Sequence, residues 1–223
     1  MQVFFERREE LAPTIWQYYF RAPAPVDFVP GQYVDLHLPG VENDPRGAAR
    51  TFTLTSLPED ELQSFVVKIP QPHTPYKDVL AGLEPGAGCR IDDAMGDLVL
   101  PKDPSVPLVF VAGGIGIASY ASMLKLLLKA REERPIFFFY ALRDRREQIF
   151  RELTDAYPLA LKTTVIAPNR LTAKQIKDST PPEALIYLSG SQRFVEGLRT
   201  HFEQLGTPRS QIVFDYYDGY TEL

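Results

Sequence analysis

The stretch Leu108 to Leu124, LVFVAGGIGIASYASML, restricts the fold of this chain more than any other. An apolar run of strand formers ends in Gly113, Gly114 and Gly116. Apolar side chains then recur at Ile117, Tyr120, Met123, Leu124, Leu127 and Leu128. A short apolar run giving way across glycines to a spacing of three and four is a strand, a tight turn and a helix. On its own the turn fits two uses equally well. It is a backbone device that needs glycine for its geometry, or a cradle whose helix amides receive a phosphate. Gly114 and Gly116 suit a G-x-G-x-x frame, but Ser119 stands where a dinucleotide fingerprint has its third glycine.

The rest of the chain sorts to either side of Pro107. Most of the 20 prolines lie at or before that residue, among short β-rich runs: FFERRE, WQYYFRA, QYVDLHL, RTFTLTS, SFVVKI and CRIDDA. Short strands bounded by Pro, Gly or Asp predict a small antiparallel barrel or sandwich. After it, LVFVA, IFFFYA, LKTTVI, ALIYLS and QIVF alternate with helical patterns over 117–133, about 145–156 and about 191–205. That alternation predicts βαβ units on a parallel sheet. The expected organisation is two domains: an antiparallel β-barrel over residues 1–103, and a Rossmann-like α/β domain with a parallel sheet over residues 104–223.

With 223 residues, 44% hydrophobic and 24% charged, the chain can bury a core without covalent staples. No apolar run approaches the roughly 20 residues of a membrane span, and the start MQVFFERREE is charged where a signal peptide turns apolar. A cytoplasmic protein with no membrane span is expected. The single cysteine, Cys89, excludes an internal disulfide and a four-cysteine iron-sulfur cluster, and His37, His73 and His201 lack metal-ligand spacing. Redox chemistry would therefore need an organic cofactor. A net charge of -5 without a basic run argues against a nucleic-acid partner.

Three further groups bear on binding. The second strand of the α/β half runs into ALRDRR, without the lone acidic residue that grips a ribose 2'-hydroxyl. Arg143, Arg145 and Arg146 there suit a phosphate, or equally a solvated helix start. In RTFTLTS, Arg50 can pair with a pyrophosphate and Thr53 can donate to a ring nitrogen, while the same alternation also fits an exposed strand. Thr74 before Pro75 is a helix start, with the hydroxyl as N-cap and proline at the first helical position.

In order along the chain, FVPGQYV, RTFTLTS, HTPYKDVLAGLEPG, GDLVLP, VFVAGGIGIASYASML, YLSGSQRFVEGLRTHFEQLG and IVFDYYDGY resemble the motifs of the ferredoxin-NADP reductase superfamily over nearly the whole chain. The resemblance implies FAD in the barrel and NADPH or NADH on the parallel sheet, with NADPH favoured by the three arginines. It places Arg50 and Thr74 on the FAD pyrophosphate, Phe52 on the ribityl or ring system, and Thr53 at flavin N5. Thr51, Lys68, Ile69 and Tyr76 complete that cradle. Gly113, Gly114, Gly116 and Ile117 would let the nicotinamide dinucleotide approach, with Ser189, Gly190 and Ser191 beside the nicotinamide. Tyr217 would cover the isoalloxazine or equally pack in the core.

This sequence departs from the family pattern at three places. Ala118, Ser119 and Tyr120 follow the glycines where Thr-Pro is usual, Ser189 replaces a cysteine, and Asp215 replaces a glutamate. The implied chemistry is hydride transfer between nicotinamide C4 and flavin N5 in the crevice between barrel and sheet. Thr53, Ser189 and Asp215 would be the residues nearest the reaction. Electrons would leave for an external acceptor: a ferredoxin or flavodoxin, slightly favoured, or a small molecule. The turn GIASYASML also resembles that of NAD(P)H:flavin reductases, which use free flavin as substrate. An electron-transfer subunit of a larger complex is the reading from a different class.

Overall fold

The computed structural model describes residues 1–157, 161–167 and 169–217. The chain divides into two compact units, Met1–Val99 and Leu100 onward, a division a few residues before the change in composition. In the first unit, β1 (Gln2–Ala12), β2 (Ile15–Arg21), β3 (Tyr33–His37), β4 (Ala49–Thr53), β5 (Leu62–Lys68) and β6 (Gly88–Ile91) form one antiparallel sheet. Their order is β4-β3-β6-β1-β2-β5, and the short helix α1 (Pro75–Ala81) lies between β5 and β6 in the chain.

The sheet is barrel-like, yet its edge strands β4 and β5 meet beyond the ladders only at the isolated pair Leu54 and Phe65. There the Thr55 amide donates to the Ser64 carbonyl at 2.7 Å. Side chains close the rest of the gap. Phe65 stacks across it on Phe52 of β4 at 4.2 Å between ring centroids, and is backed by Phe20 at 5.3 Å and Tyr18 at 5.8 Å on the adjoining β2. Beside the rings, Gln17 Nε2 donates to Thr55 Oγ1 and Ser64 Oγ, both at 3.1 Å, and those two hydroxyls lie 2.8 Å apart. All three polar residues are buried, so each needs these partners in place of water.

In the second unit, β7 (Leu108–Gly113), β8 (Ile136–Leu142), β9 (Leu161–Ile166), β10 (Leu185–Ser191) and β11 (Ile212–Tyr217) pair in parallel in the order β11-β10-β7-β8-β9. The helices are α2 (Ala121–Ala130), α3 (Arg151–Asp155), α4 (Ala173–Asp178) and α5 (Gln192–Gln204). Val109, Val111, Ile186 and Leu188 pack with Ile176 of α4 and with Val195, Leu198 and Phe202 of α5. The alternate residue Phe110 meets Tyr120, Phe138 and Tyr187 instead. Burial on both faces is why β7 reads as a continuous apolar run.

The helices differ from their sequence patterns in instructive ways. The pattern over 117–133 begins as a 3-10 segment, Gly114–Tyr120, and is α-helical only over Ala121–Ala130. The pattern over 145–156 breaks into a 3-10 turn at Arg145–Glu147 and the short α3, separated by Phe150 in a left-handed conformation at φ 54°. Asp144 caps that first turn through the Arg146 amide. Ser191 is the N-cap of α5, which ends at Gln204. Helix α4 has no counterpart among the expected helices, although Thr172 and Gln175 carry a capping box that marks its start.

Phe65 touches Phe52 across the open side of the sheet and Tyr18 and Phe20 on the neighbouring β2, so Phe65→Ala should cost about 3–5 kcal/mol of stability. Phe65→Leu should lose clearly less. Urea unfolding followed by near-ultraviolet circular dichroism checks both; equal losses would remove the ring stack as the element that closes the sheet.

Candidate functional sites in the two units

Chain order runs from β7 outward to β8 and β9, then returns to β10 on the other side of β7. The order therefore reverses between β7 and β10, and ligands of open α/β sheets bind beyond the carboxyl ends of strands at such a point. Those ends are Gly113 and Ser189–Ser191, with Ser189 opposite Ala112 in the parallel pair. Gly114 follows with φ 54° and open space where a Cβ would be. Gly116 is the tight position: a Cβ there would lie 2.3 Å from the Ser189 carbonyl oxygen. Further side chains fasten the turn. Ser119 Oγ lies 2.9 Å from Ser189 Oγ, and the Tyr120 hydroxyl reaches the Val111 and Tyr187 carbonyls at 2.9 Å each.

Gly113 and Gly190 approach one another closely, with the Phe194 ring packed against both. Ser191 accepts the Phe194 amide as N-cap of α5. Ser189 is fully buried, with its hydroxyl against that of Ser119. Ile117 is buried too. Asp215 lies opposite Ser189 on β11, and Tyr217 ends that strand opposite Ser191. The expected covering role of the Tyr217 side chain, and the tail after it, lie outside the described residues. Arg143, Arg145 and Arg146 are all exposed just after β8. They are not equivalent. Arg146 pairs with Asp144 at 2.5 Å, which pulls that carboxyl down to about 2, while Arg145 lines a cavity of about 220 Å³ with Phe138, Tyr140, Arg151 and Lys162.

The first unit builds a different surface, around Arg50 on β4. Its guanidinium Nη2 donates to Asp44 Oδ1 at 2.6 Å, and Nη1 donates to the carbonyls of Arg46, Gly47 and Ala49. The same guanidinium lies 4.8 Å from the ring centroid of Tyr76. The Tyr76 amide donates to Asp44 Oδ2 at 3.1 Å, and its buried phenol donates to the Leu36 carbonyl. Burial works against the charge on Asp44, but the Arg46 and Tyr76 amides and the Arg50 guanidinium together hold its carboxyl below the usual range.

Thr74 caps α1 by accepting the Lys77 amide at 3.4 Å, and Lys77 Nζ donates to the Lys68 carbonyl at 2.7 Å. Thr51 donates to Asp35 at 2.6 Å, and the Ile69 amide donates to the Thr14 carbonyl at 2.7 Å. Phe52 is buried in the ring stack, and Thr53 is buried opposite Tyr33. Sequence reasoning missed Asp44 and Arg46 beside Arg50. Its one available signal was a carboxylate six residues before Arg50 in a loop rich in proline and glycine.

Among the described residues no group of three His, Cys, Asp or Glu could hold a metal, and no helix is long and apolar enough to cross a membrane. Cys89 is buried, which pushes its thiol up to about 11 and leaves it a poor nucleophile.

Burial first, and then repulsion from Arg46, Arg50 and Lys68, push the Lys77 amine down from 10.5 to about 8. The folded chain therefore gives up this proton at lower pH than the unfolded chain does. The amine contributes stability that grows as pH rises from about 8 towards 10.5. Comparing urea unfolding at pH 7 and pH 9 should show that gain in the wild type and a smaller gain in Lys77→Met. Identical pH dependence in the two proteins would show that Lys77 carries none of it.

No family model matches the chain. Over 216 residues it is 26% identical to the reductase component of propane 2-monooxygenase from Rhodococcus jostii, covering 87% of this chain and 57% of that protein. It is also 26% identical to the ferredoxin--NAD(P)(+) reductase component of the naphthalene 1,2-dioxygenase system from Pseudomonas putida, covering 89% of this chain and 63% of that protein. The chain thus spans less than two thirds of the length of these curated relatives. Among solved structures, ferredoxin-NADP+ reductase from Plasmodium falciparum superposes with a TM-score of 0.81 at 15% identity, covering 97% of this chain and 95% of that one. The flavohemoglobin from Malassezia yamatoensis, solved with FAD and heme, gives a TM-score of 0.79 at 21% identity, over 97% of this chain and 59% of that one. With its antiparallel barrel-like sheet and its parallel sheet, the chain has the two-unit fold of these solved structures.

Proposed function

We propose that the chain is a FAD-dependent NAD(P)H oxidoreductase that passes electrons from a nicotinamide dinucleotide to an external acceptor. What carries the reading is that each unit offers its own surface suited to phosphate. One is the basic group Arg46, Arg50, Lys68 and Lys77, in which Thr74 caps the helix that carries Lys77 and the Lys77 amine reaches the Lys68 carbonyl. The other is the glycine-lined end of β7 and β10 at the reversal of strand order. Bound flavin would supply the redox step, accepting a hydride at N5 from nicotinamide C4 and returning electrons singly or in pairs.

The chain's own residues bind and orient. Arg50, Lys68, Lys77 and Thr74 are the groups for the flavin diphosphate, with Thr51, Ile69 and Tyr76 shaping the cradle and Phe52 offering an apolar ring. Thr53, fixed in the ladder opposite Tyr33, is the proposed donor to N5. Gly113, Gly114, Gly116, Ile117, Gly190 and Ser191 form the turn for the dinucleotide, and Asp215 is the carboxylate assigned to the nicotinamide side. The buried Ser189 hydroxyl positions that turn through Ser119. Hydride transfer needs no general base, so a catalytic histidine is not required.

The two curated relatives described above are reductase components of a monooxygenase and of a dioxygenase system, the second a ferredoxin--NAD(P)(+) reductase, which supports an external protein carrier of ferredoxin or flavodoxin type as acceptor. A second reading, an NAD(P)H:flavin oxidoreductase with free flavin as substrate, is favoured by one observation. Arg50 is already engaged by Asp44, which weakens any clamp on a flavin diphosphate.

The visible spectrum of the purified protein, followed by anaerobic titration with NADPH, tests both. A bound flavin bleached in proportion to NADPH supports the first reading. A colourless protein that bleaches added flavin supports the second, and no bleaching under either condition overturns both. For coenzyme choice, Arg145→Ala should lower the ratio of kcat/KM for NADPH over NADH by about tenfold, as expected for loss of a charge-assisted phosphate contact. Arg146→Ala should lower it less, because Asp144 already engages that guanidinium. An unchanged ratio in both variants would remove the arginines from the 2'-phosphate.

A further inference from the structure

The loop Gly40–Gly47 is exposed along most of its length, with Glu42, Asn43, Pro45, Arg46 and Gly47 open to solvent. One side chain of that loop turns inward. The Asp44 side chain is 1% exposed and that of Arg50 12%. The carboxylate spends one oxygen on Arg50 and the Arg46 amide and the other on the Tyr76 amide. An acceptor-only group with two oxygens, set among a guanidinium and backbone amides, meets the same donors that a phosphate would take. It also stands beside Arg46 and engages Arg50, the guanidinium assigned above to the flavin diphosphate.

We propose that Asp44 is an internal stand-in for the flavin diphosphate: its carboxylate competes with the diphosphate for Arg50 and the Tyr76 amide and must release both when FAD binds. The inference rests on the flavin reading given above and adds to it what sets the hold on FAD. A partly buried guanidinium left without a counter-charge is costly, so a flavin-free chain gains from carrying its own anion at that point. When the diphosphate takes the guanidinium, the Asp44 pair is lost and its charge becomes a like-charge neighbour of the ligand. Asp44 thereby lowers the affinity for FAD.

The loop has joints suited to withdrawing one side chain. Gly40 and Gly47 have φ of 72° and 77°, with no atom within 4 Å of where a Cβ would lie, and Asn43, next to Asp44, has φ 60°. Turning the carboxylate outward moves it from buried donors to water and leaves the strands β3 and β4 in register.

The test is equilibrium binding of FAD and of riboflavin to flavin-stripped wild-type protein, Asp44→Asn, Asp44→Ser and Arg50→Ala, followed by flavin fluorescence, with circular dichroism to confirm folding. The expected result is FAD bound about tenfold more tightly by both Asp44 variants, with riboflavin, which lacks phosphate, unchanged, and FAD lost in Arg50→Ala. FAD affinity equal to or below wild type in both Asp44 variants, with FAD still lost in Arg50→Ala, overturns the stand-in and leaves the flavin reading intact. Tightening of riboflavin as much as FAD overturns it too, because the effect would then lie away from the phosphates. No FAD binding by any of the four proteins overturns the flavin reading and this inference together.

Discussion

A Cβ on residue 116 would stand 2.3 Å from the Ser189 carbonyl oxygen, a distance no side chain tolerates. Glycine there lets the segment after β7 lie directly on the end of β10, and much of the second unit follows from that contact. Ser119 can then reach Ser189, and the Tyr120 hydroxyl can sit over the carbonyls of β7 and β10. The two strands on either side of the order reversal are thereby tied at their carboxyl ends by side chains as well as by the ladder. Gly114 stays open above them. The glycines of one turn thus differ in their surroundings: Gly116 serves the contact with β10, and Gly114 has open space where a Cβ would lie.

The first unit solves a different problem. Its edge strands share one isolated pair, so backbone hydrogen bonds do not complete the closure. Stacked rings and a buried amide and hydroxyl network take their place. This fixes β4 from both sides, through its ladder with β3 and through Phe52 against Phe65. Arg50 and Thr53 sit on that fixed strand. The groups around Arg50, by contrast, come from a loop and from a short helix whose charges repel one another, with Asp44 as the carboxylate that engages Arg50. A rigid strand carrying an arginine beside a hinged loop carrying its counter-charge is an arrangement that can exchange one anion for another.

Legibility from the sequence varies with how local the cause is. The cap at Thr74, the glycine turn and the alternation of β7 to β11 with helices depend on neighbours within a few residues. Periodicity and turn chemistry report them directly. The break at Phe150 does not show, because helical spacing continues through 145–156 while the backbone is left-handed at one residue. The Ser189 hydroxyl meets that of Ser119, 70 residues away in the chain, a pairing that no local pattern announces. Asp44 lacks any periodic signal, since its meaning arises only when Arg50 and Tyr76 converge on it.

Hydrophobic period, glycine conformation and helix capping act over a few residues, so the two-part architecture, the strand-turn-helix at Gly113–Gly116 and the start of α1 are written locally in the chain. Which hydroxyls and carboxylates remain available for ligands is settled only on folding. That depends on burial and on partners brought together from distant segments: the Asp44 side chain at 1% exposure meets Arg50 and the Tyr76 amide, and no local pattern reveals that pairing.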